Sequence, residues 1–491
     1  MLLADHNKTA LILPDCSYTY AQLLALAHCY AQHLPAGTQR ALIFSENRAE
    51  WVHALYGAWI AGAAVVPVDF QATAAEVAFI LNDCRPTALF CSQERKPVLE
   101  EALAGLDYTP QLLVFESLPQ GGEHSAAPVV AADPRAMALL IYTSGTTGTP
   151  KGVMLSFENL LANVEAVTVG APIYGPDERV LMLLPLHHIF PLLGTLVIPF
   201  QIGATVALSP SLLAEDIVNT LQRNKITILI GVPRLYSLIM KSIQSKIAAS
   251  RIATLLFRLA QQVNSPKFSR LVFRSVHQKF GGCLKFLVSG GAALDPAVGR
   301  PFTTLGFEIL EGYGMTEAAP MITFTRPGQV LIGSTGTSMS CTAIEIRDGE
   351  IVAAGKNIMQ GYLNRPEETA EALRDGWLYT GDLGRLDEQG RLFVTGRKKE
   401  IIVLANGKNI NPALIEQELE AQYGVVAEVG VFLKDDLLQA VIRPNLALIR
   451  EKGVTHMDEF FRWQVIDRYN QSVSPAKRLH QIGRASCRER V

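Results

Sequence analysis

No apolar run in this chain is long enough to cross a bilayer. The strongest, Tyr56–Val68 and Ile189–Phe200, are each broken by Gly or Pro, whereas a spanning helix needs ~20 predominantly apolar residues. The N-terminus, MLLADHNKTA, does not place a basic segment before an apolar core, so no secretory signal is read there. Cysteines are few and scattered: Cys16, Cys29, Cys84, Cys91, Cys283, Cys341 and Cys487, with no pair at CxxC spacing. That argues against a zinc site or redox pair and fits a reducing, cytoplasmic compartment. There is no excess of charge of one sign. Lys+Arg number 44 and Asp+Glu 46, a formal net charge of -2, which disfavours a chain that wraps nucleic acid over its surface. Only 18% of the 491 residues are charged while 49% are hydrophobic, which excludes a disordered or purely solvating chain.

What is present is an alternation of strand-length apolar runs with helical patterns. Met137–Tyr142, Val180–Leu184, Thr205–Leu208, Ile226–Ile230 and Leu284–Val288 read as buried strands, with helices expected over Phe157–Val167 and Leu212–Arg223. Such alternation predicts an α/β fold with mostly parallel sheets. The Pro- and Gly-rich stretch from Gly105 to Pro134 reads as a surface connection. Near Gly381 the pattern changes to strand, strand, helix, strand, strand: Leu392–Thr395, Ile401–Leu404, Pro412–Gln422, Val429–Leu433 and Gln439–Arg443. We therefore expect a large N-terminal domain over 1–386 and a small α+β domain over 387–481, joined through the polar turn from Arg385 to Gly390. The last ten residues, Ile482–Val491, break the preceding pattern and resemble translated sequencing-adapter DNA. The natural chain is expected to continue differently past Gln481, a basic disordered tail being the alternative.

No Asp or Glu occurs between Asp216 and Asp295, a stretch that holds twelve Lys and Arg residues. Within it Ile252, Leu255, Leu256, Leu259 and Val263 follow helical spacing, with Arg251 and Arg258 on another face. This is either an ordinary surface helix with a solvated basic face or a docking surface for lipid headgroups, a phosphorylated cofactor or an acidic carrier protein.

One segment carries chemistry on its face: Tyr142-Thr-Ser-Gly-Thr-Thr-Gly-Thr-Pro-Lys151. It follows a strand. Glycines let backbone N–H groups turn toward an anion, Ser and Thr add donors, and Lys151 adds a point charge suited to phosphate. The GxxxxGK[ST] spacing is absent, so it is not a Walker A loop and a P-loop kinase is disfavoured. The alternative is a hydroxyl-rich turn arising by chance. The run closely resembles the phosphate-binding loop of the AMP-forming adenylate synthetases. Further segments resemble that superfamily's motifs in the expected order: Ser289-Gly-Gly-Ala292, Glu311-Gly-Tyr-Gly-Met-Thr-Glu317, Tyr379-Thr-Gly-Asp382 and Gly396-Arg-Lys-Lys-Glu400. The resemblance extends nearly to Gln481.

It implies a large adenylate-forming domain of packed sheets and helices, a small mobile C-terminal domain, and ATP, Mg²⁺ and CoA as reaction partners. Nucleotide-binding positions would be Thr143, Ser144, Gly145, Thr146, Thr147, Gly148 and Lys151 on the first loop. Gly290, Gly291 and Ala292 would lie on the adenine side, followed by Gly312, Tyr313, Gly314, Met315 and Thr316. Asp382 would accept from the ribose hydroxyls and Arg397 would donate to ribose or phosphate. Glu317 and Thr143 would hold the metal, and Lys151, Thr143, Glu317 and His188 would be the catalytic set. His188, or its neighbour His187, would sit near the acid. Asp387 stands where a hinge residue is expected, and the 405–409 loop would approach the thiol in the second step. The plain readings are a helix-capping acid at Glu317, a turn former at Asp382, a core ring at Tyr313 and a structural histidine at His188.

Gly231-Val-Pro-Arg-Leu-Tyr236, the basic insert after it and then Leu287-Val-Ser-Gly-Gly, and likewise Gly396–Asn411, are similar to bacterial long-chain fatty acyl-CoA synthetases, which implies fatty acid and CoA as substrates. Acyl carrier protein is the alternative acceptor, peripheral contact with the inner face of the membrane is an open expectation, and a non-catalytic nucleotide sensor is the rival class. One departure stands out: the family's C-terminal lysine in a Gly-Lys context has no match, since Ser474-Pro-Ala-Lys477-Arg478 offers the wrong surroundings. Losing one such donor costs on the order of 10²–10³ in rate, so weak adenylation is expected of a chain without it.

Overall fold

The computed structural model describes residues 8–119, 133–143, 149–400, 402–404, 409–434 and 437–484. The chain divides into two compact units. The first comprises Met1–Glu345, Val352–Tyr379 and Asp387–Leu392; the second comprises Ile346–Ile351, Thr380–Leu386 and Phe393–Val491.

The first unit is built on two large sheets. In one, strands Thr9–Ile12, Thr205–Leu208, Arg179–Met182, Ile228–Gly231, Phe286–Ser289 and Glu308–Gly314 lie side by side and parallel. Antiparallel strands Ser17–Thr19 and Met321–Phe324 flank them, and Thr337–Ser338 lies beyond Met321–Phe324. In the other, Gln111–Val114, Ala88–Cys91, Arg40–Phe44, Ala64–Val68 and Met137–Thr143 are parallel, and Lys151–Ser156 then Gly361–Tyr362 close it antiparallel. Strands buried on both faces need apolar side chains throughout, which is why they read as unbroken apolar runs. Helix Ala49–Ile60 is apolar nearly all round, and its Trp51, Leu55 and Trp59 enter the same core as Ile43, Leu139, Val180 and Val288. A helix of that kind must be buried on every side.

The expected α/β class is therefore what the chain adopts. One reading needs correction. The stretch from Gly105 to Pro134 is not all surface connection, because Gln111–Val114 pairs in parallel with Ala88–Cys91 and Phe115 is fully buried. A four-residue edge strand buries too little to stand out against its Pro- and Gly-rich flanks.

In the second unit, Val426–Lys434 and Leu437–Pro444 form an antiparallel pair, with Gln481–Arg484 parallel to the latter. Helix Pro412–Gln422 contributes Ile415 and Leu419 to a core that includes Val431, Ala440, Ile442 and Tyr469. Among the described residues no helix is long and apolar enough to cross a membrane.

Candidate active site

In a parallel sheet the strand ends that face the same way collect their loops on one edge, where ligands of α/β proteins bind. Three of the sequence segments leave such ends. Leu183–His188 follows Arg179–Met182, Gly290–Ala292 follows Phe286–Ser289, and Met315–Glu317 follows Glu308–Gly314. Their convergence is direct: a Cβ built on Gly290 would stand 2.9 Å from the Phe190 ring. Gly314 is more tightly held, since a Cβ there would lie 1.9 Å from the carbonyl oxygen of Pro320. That neighbour is backbone and cannot swing aside, so we expect Gly314→Ala to cost about 3 kcal/mol or more. A fall in thermal midpoint and soluble yield would show it; an unchanged melt would contradict this packing.

The two described ends of the glycine-and-hydroxyl run meet in the other sheet. Thr143 ends one strand directly opposite Lys151, which begins the next; positions 144–148, and with them Ser144, Gly145, Thr146, Thr147 and Gly148, lie outside the described residues. Lys151 Nζ sits 5.2 Å over the ring of Tyr362, a favourable cation–π distance. The Tyr362 hydroxyl donates to Glu317 Oε1 at 2.8 Å, and Glu317 is only 8% exposed. The structure thus brings Lys151 and Glu317 to the same tyrosine. Beside them a cavity of about 390 Å³ is lined by Thr149, Lys151, Asn364, Arg365, Glu367 and Glu368, among others.

Local sequence explains how Glu317 and Tyr362 are held. Ser156 and Asn159 form a capping box that starts helix Phe157–Glu165, an arrangement that satisfies two orphan N–H groups. Asn159 and Asn163, four apart, share a face of this helix. The Asn159 amide donates to the carbonyls of Lys356 and Ile358 at 2.7 and 2.8 Å, fixing the approach to Tyr362. Asn163 donates to Ala318 O at 3.2 Å and accepts from Met321 N–H at 3.2 Å, fixing the turn that carries Glu317. Asn357 adds bonds to Ala318 O and Met321 O at 3.1 and 2.8 Å. Nothing local in the sequence marks Tyr362 or these asparagines: Tyr362 lies 45 residues from Glu317. The one available signal is a pair of asparagines at helical spacing behind an apolar strand.

Tyr313 is half-buried and packs against the main core. Gly312 pairs with Phe324 across the strand, while Met315 and Thr316 are half-buried. Gly291 takes a left-handed φ of +82° and, with Ala292, is exposed. The rings of His187 and His188 lie 4.1 Å apart. Burial first, then the neighbouring His188, pushes His187 down to about 4 against the pull of Asp69, whose Oδ2 is 3.8 Å from Nε2. His188 is also lowered by burial but is the more exposed ring.

Asp382 and Arg397 belong to the second unit. There Arg397 Nε lies 3.3 Å from Asp382 Oδ1. The turn before Asp382 rests on buried Glu350, which accepts from Gly381 N–H at 3.0 Å and from Lys398 Nζ at 2.8 Å. Glu350 is a second residue that spacing does not reveal. Asp387 closes its own turn: Oδ1 accepts from the N–H groups of Gln389 and Arg391 at 3.0 and 2.9 Å, and Oδ2 from Arg391 Nε at 2.7 Å. Desolvation acts to raise its pKa, but these hydrogen bonds prevail and hold the carboxyl below the usual aspartate range. Asp387 itself falls in the first unit, with Asp387–Leu392, while Thr380–Leu386 before it and the chain from Phe393 onward belong to the second. Residues 405–408 lie outside the described residues.

The AMP-binding enzyme family model matches residues 4–363. The chain is similar to a long-chain-fatty-acid–CoA ligase of Mycobacterium bovis, 31% identical over 421 residues that cover 78% of this chain and 69% of that protein. It is as similar to a sulfoacetate–CoA ligase of Cupriavidus necator, 32% identical over 87% of this chain and 82% of the other. Its fold matches the o-succinylbenzoate–CoA synthetase of Bacillus subtilis solved with AMP, with a TM-score of 0.75, 25% identity, and 98% and 92% of the two chains covered. The chain belongs to the AMP-binding enzyme family.

Proposed function

We propose that the protein is an AMP-forming acid–CoA ligase whose acid is a long-chain fatty acid. The observation that carries the reading is the cluster at the start of the strand Lys151–Ser156, where Lys151 and Glu317 share Tyr362. In the first step a carboxylate oxygen attacks the α-phosphorus of ATP, the bond to the bridging oxygen breaks, and pyrophosphate leaves. In the second, the CoA thiol attacks the acyl carbon, AMP leaves with the bonding pair, and the thiol proton passes to solvent.

Phosphoryl chemistry of this kind rests on positioning and charge stabilisation. Lys151 balances charge on the departing phosphates. Glu317 and Thr143 would hold Mg²⁺; one buried carboxylate and one hydroxyl suit an ion that draws the rest of its shell from phosphate oxygens and water. That ion would supply charge neutralisation to the phosphates. Tyr362, by donating to one Glu317 oxygen, leaves the carboxylate a fixed orientation. Tyr313 is a ring suited to the flat base, and within the second unit Asp382 and Arg397 are groups suited to the ribose hydroxyls. His188, its pKa lowered by burial, meets the carboxylate end of the acid as a neutral ring.

The fatty-acid assignment is supported by the motif likeness at Gly231–Tyr236 and Gly396–Asn411 and by the M. bovis relative. A panel of acids tests it. Because each buried CH₂ contributes ~0.8 kcal/mol, kcat/KM should rise about fourfold per added methylene until the pocket is filled. Sulfoacetate turned over faster than any long-chain acid would overturn it. Running the same panel with CoA and with acyl carrier protein separates the two acceptors.

A further inference from the structure

Helix Arg251–Val263 turns its apolar stripe to solvent. Ile252, Leu255, Leu259 and Val263 are 73%, 67%, 42% and 46% exposed. Steps of three, four and four residues keep them on one face of the helix. This is not the inward side misdirected, for the helix has another: Ala260 is 1% exposed and the Phe257 ring meets Phe273 edge-on at 6.1 Å. Ser250 caps its start, accepting from Ala253 N–H at 3.3 Å, and Asn264 ends it in a left-handed conformation. The stripe is thus presented on a well-formed helix about 20 Å long. Leu271 on the next helix is 73% exposed as well.

The charge around it has one sign. Lys246, Arg251, Arg258, Lys267 and Arg274 are all exposed, and among the described residues none of the five lies within ion-pair distance of a carboxylate. Lys285, at the end of the acid-free stretch, is the exception, 2.5 Å from Glu178.

We propose that this face docks on the surface of an anionic lipid bilayer, the stripe of Ile252, Leu255, Leu259 and Val263 entering the headgroup boundary while the surrounding Lys and Arg residues meet lipid phosphates. Long aliphatic side chains along one helix, flanked by cations, are the pattern of an interfacial helix. The cations are spread over successive short helices, which matches the diffuse charge of a membrane better than the compact charge of one acidic protein. A patch of this kind in water is otherwise an unexplained liability. The proposal stands apart from the identity of the acid. A chain that binds vesicles yet activates no fatty acid refutes the function proposed above and leaves this one intact.

The test is flotation of the full chain with vesicles of phosphatidylcholine alone and of phosphatidylcholine mixed with phosphatidylglycerol. Binding is expected only to the mixed vesicles and should weaken as salt is added. Leu255→Glu with Leu259→Glu, and separately Arg251→Gln with Arg258→Gln, should each lower the partition coefficient at least about tenfold. Their thermal melts should match the parent's, since the substituted side chains stand in solvent. Failure of the parent to float with anionic vesicles, or undiminished flotation of the Leu255→Glu/Leu259→Glu chain, overturns the proposal. So does light scattering that finds a parent dimer which this variant dissolves, without vesicle binding. Capture of an acidic carrier protein in place of vesicles overturns it equally.

Discussion

Glu317→Gln should lower acid-dependent ATP–pyrophosphate exchange by a factor of about 10²–10³, the loss typical when one group aimed at developing charge is removed. The substitution keeps the shape and an oxygen that can accept from Tyr362, which donates at 2.8 Å, so the fold should be undisturbed. Two readouts separate a metal-holding carboxylate from a turn-capping one. The Mg²⁺ concentration for half-maximal rate should rise, and the thermal midpoint should stay put. Tyr362→Phe, which leaves the carboxylate but frees its orientation, should have a smaller effect of about tenfold or more, given ~1.5–3 kcal/mol for a hydrogen bond to a charged group. A Glu317→Gln chain that exchanges normally, or one that merely melts earlier, would remove Glu317 from the chemistry.

The second large effect is on stability. Glu311 lies at the middle of the strand Glu308–Gly314, opposite Ser289, and is 5% exposed. Burial pushes its carboxyl up to about 7 against the counter-pull of the Gly333 N–H, which donates to Oε1 at 3.0 Å. The unfolded chain ionises this group near 4.5, so between those values the folded state binds more protons and stability falls as pH rises. The cost is complete above about pH 7 and amounts to about 3 kcal/mol. Glu311→Gln keeps the acceptor for Gly333 and cannot ionise. It should therefore raise the thermal midpoint at pH 8 and leave it near the parent's at pH 4. A variant no more stable than the parent at pH 8 would show that the buried carboxyl is better solvated than its surroundings indicate.

Much of this framework is legible in the chain itself, for physical reasons. Thr205–Leu208 and helix Pro412–Gln422 occur as the pattern predicts, since a doubly buried strand and a proline-started helix leave strong local marks. The motifs that begin at Ser289, Glu311 and Gly396 run off strand ends, and a glycine is needed where backbone approaches backbone, as Gly314 does Pro320. What local pattern cannot convey is long-range pairing. Tyr362 reaches Glu317, Asn163 reaches Ala318, and Glu350 reaches Gly381 only after two distant segments have been brought together. Nor can periodicity tell which way a stripe faces. The spacing of Ile252, Leu255 and Leu259 would be the same if they entered the core.

The central claim is that the Lys151–Tyr362–Glu317 cluster serves the transfer of AMP to an acid. Its most direct test is to follow α-labelled and γ-labelled ATP with the protein, Mg²⁺, a long-chain fatty acid and CoA. The account predicts label in AMP and in pyrophosphate, in equal amounts and only when the acid is present. Label in ADP and inorganic phosphate, or acid-independent release, would contradict it.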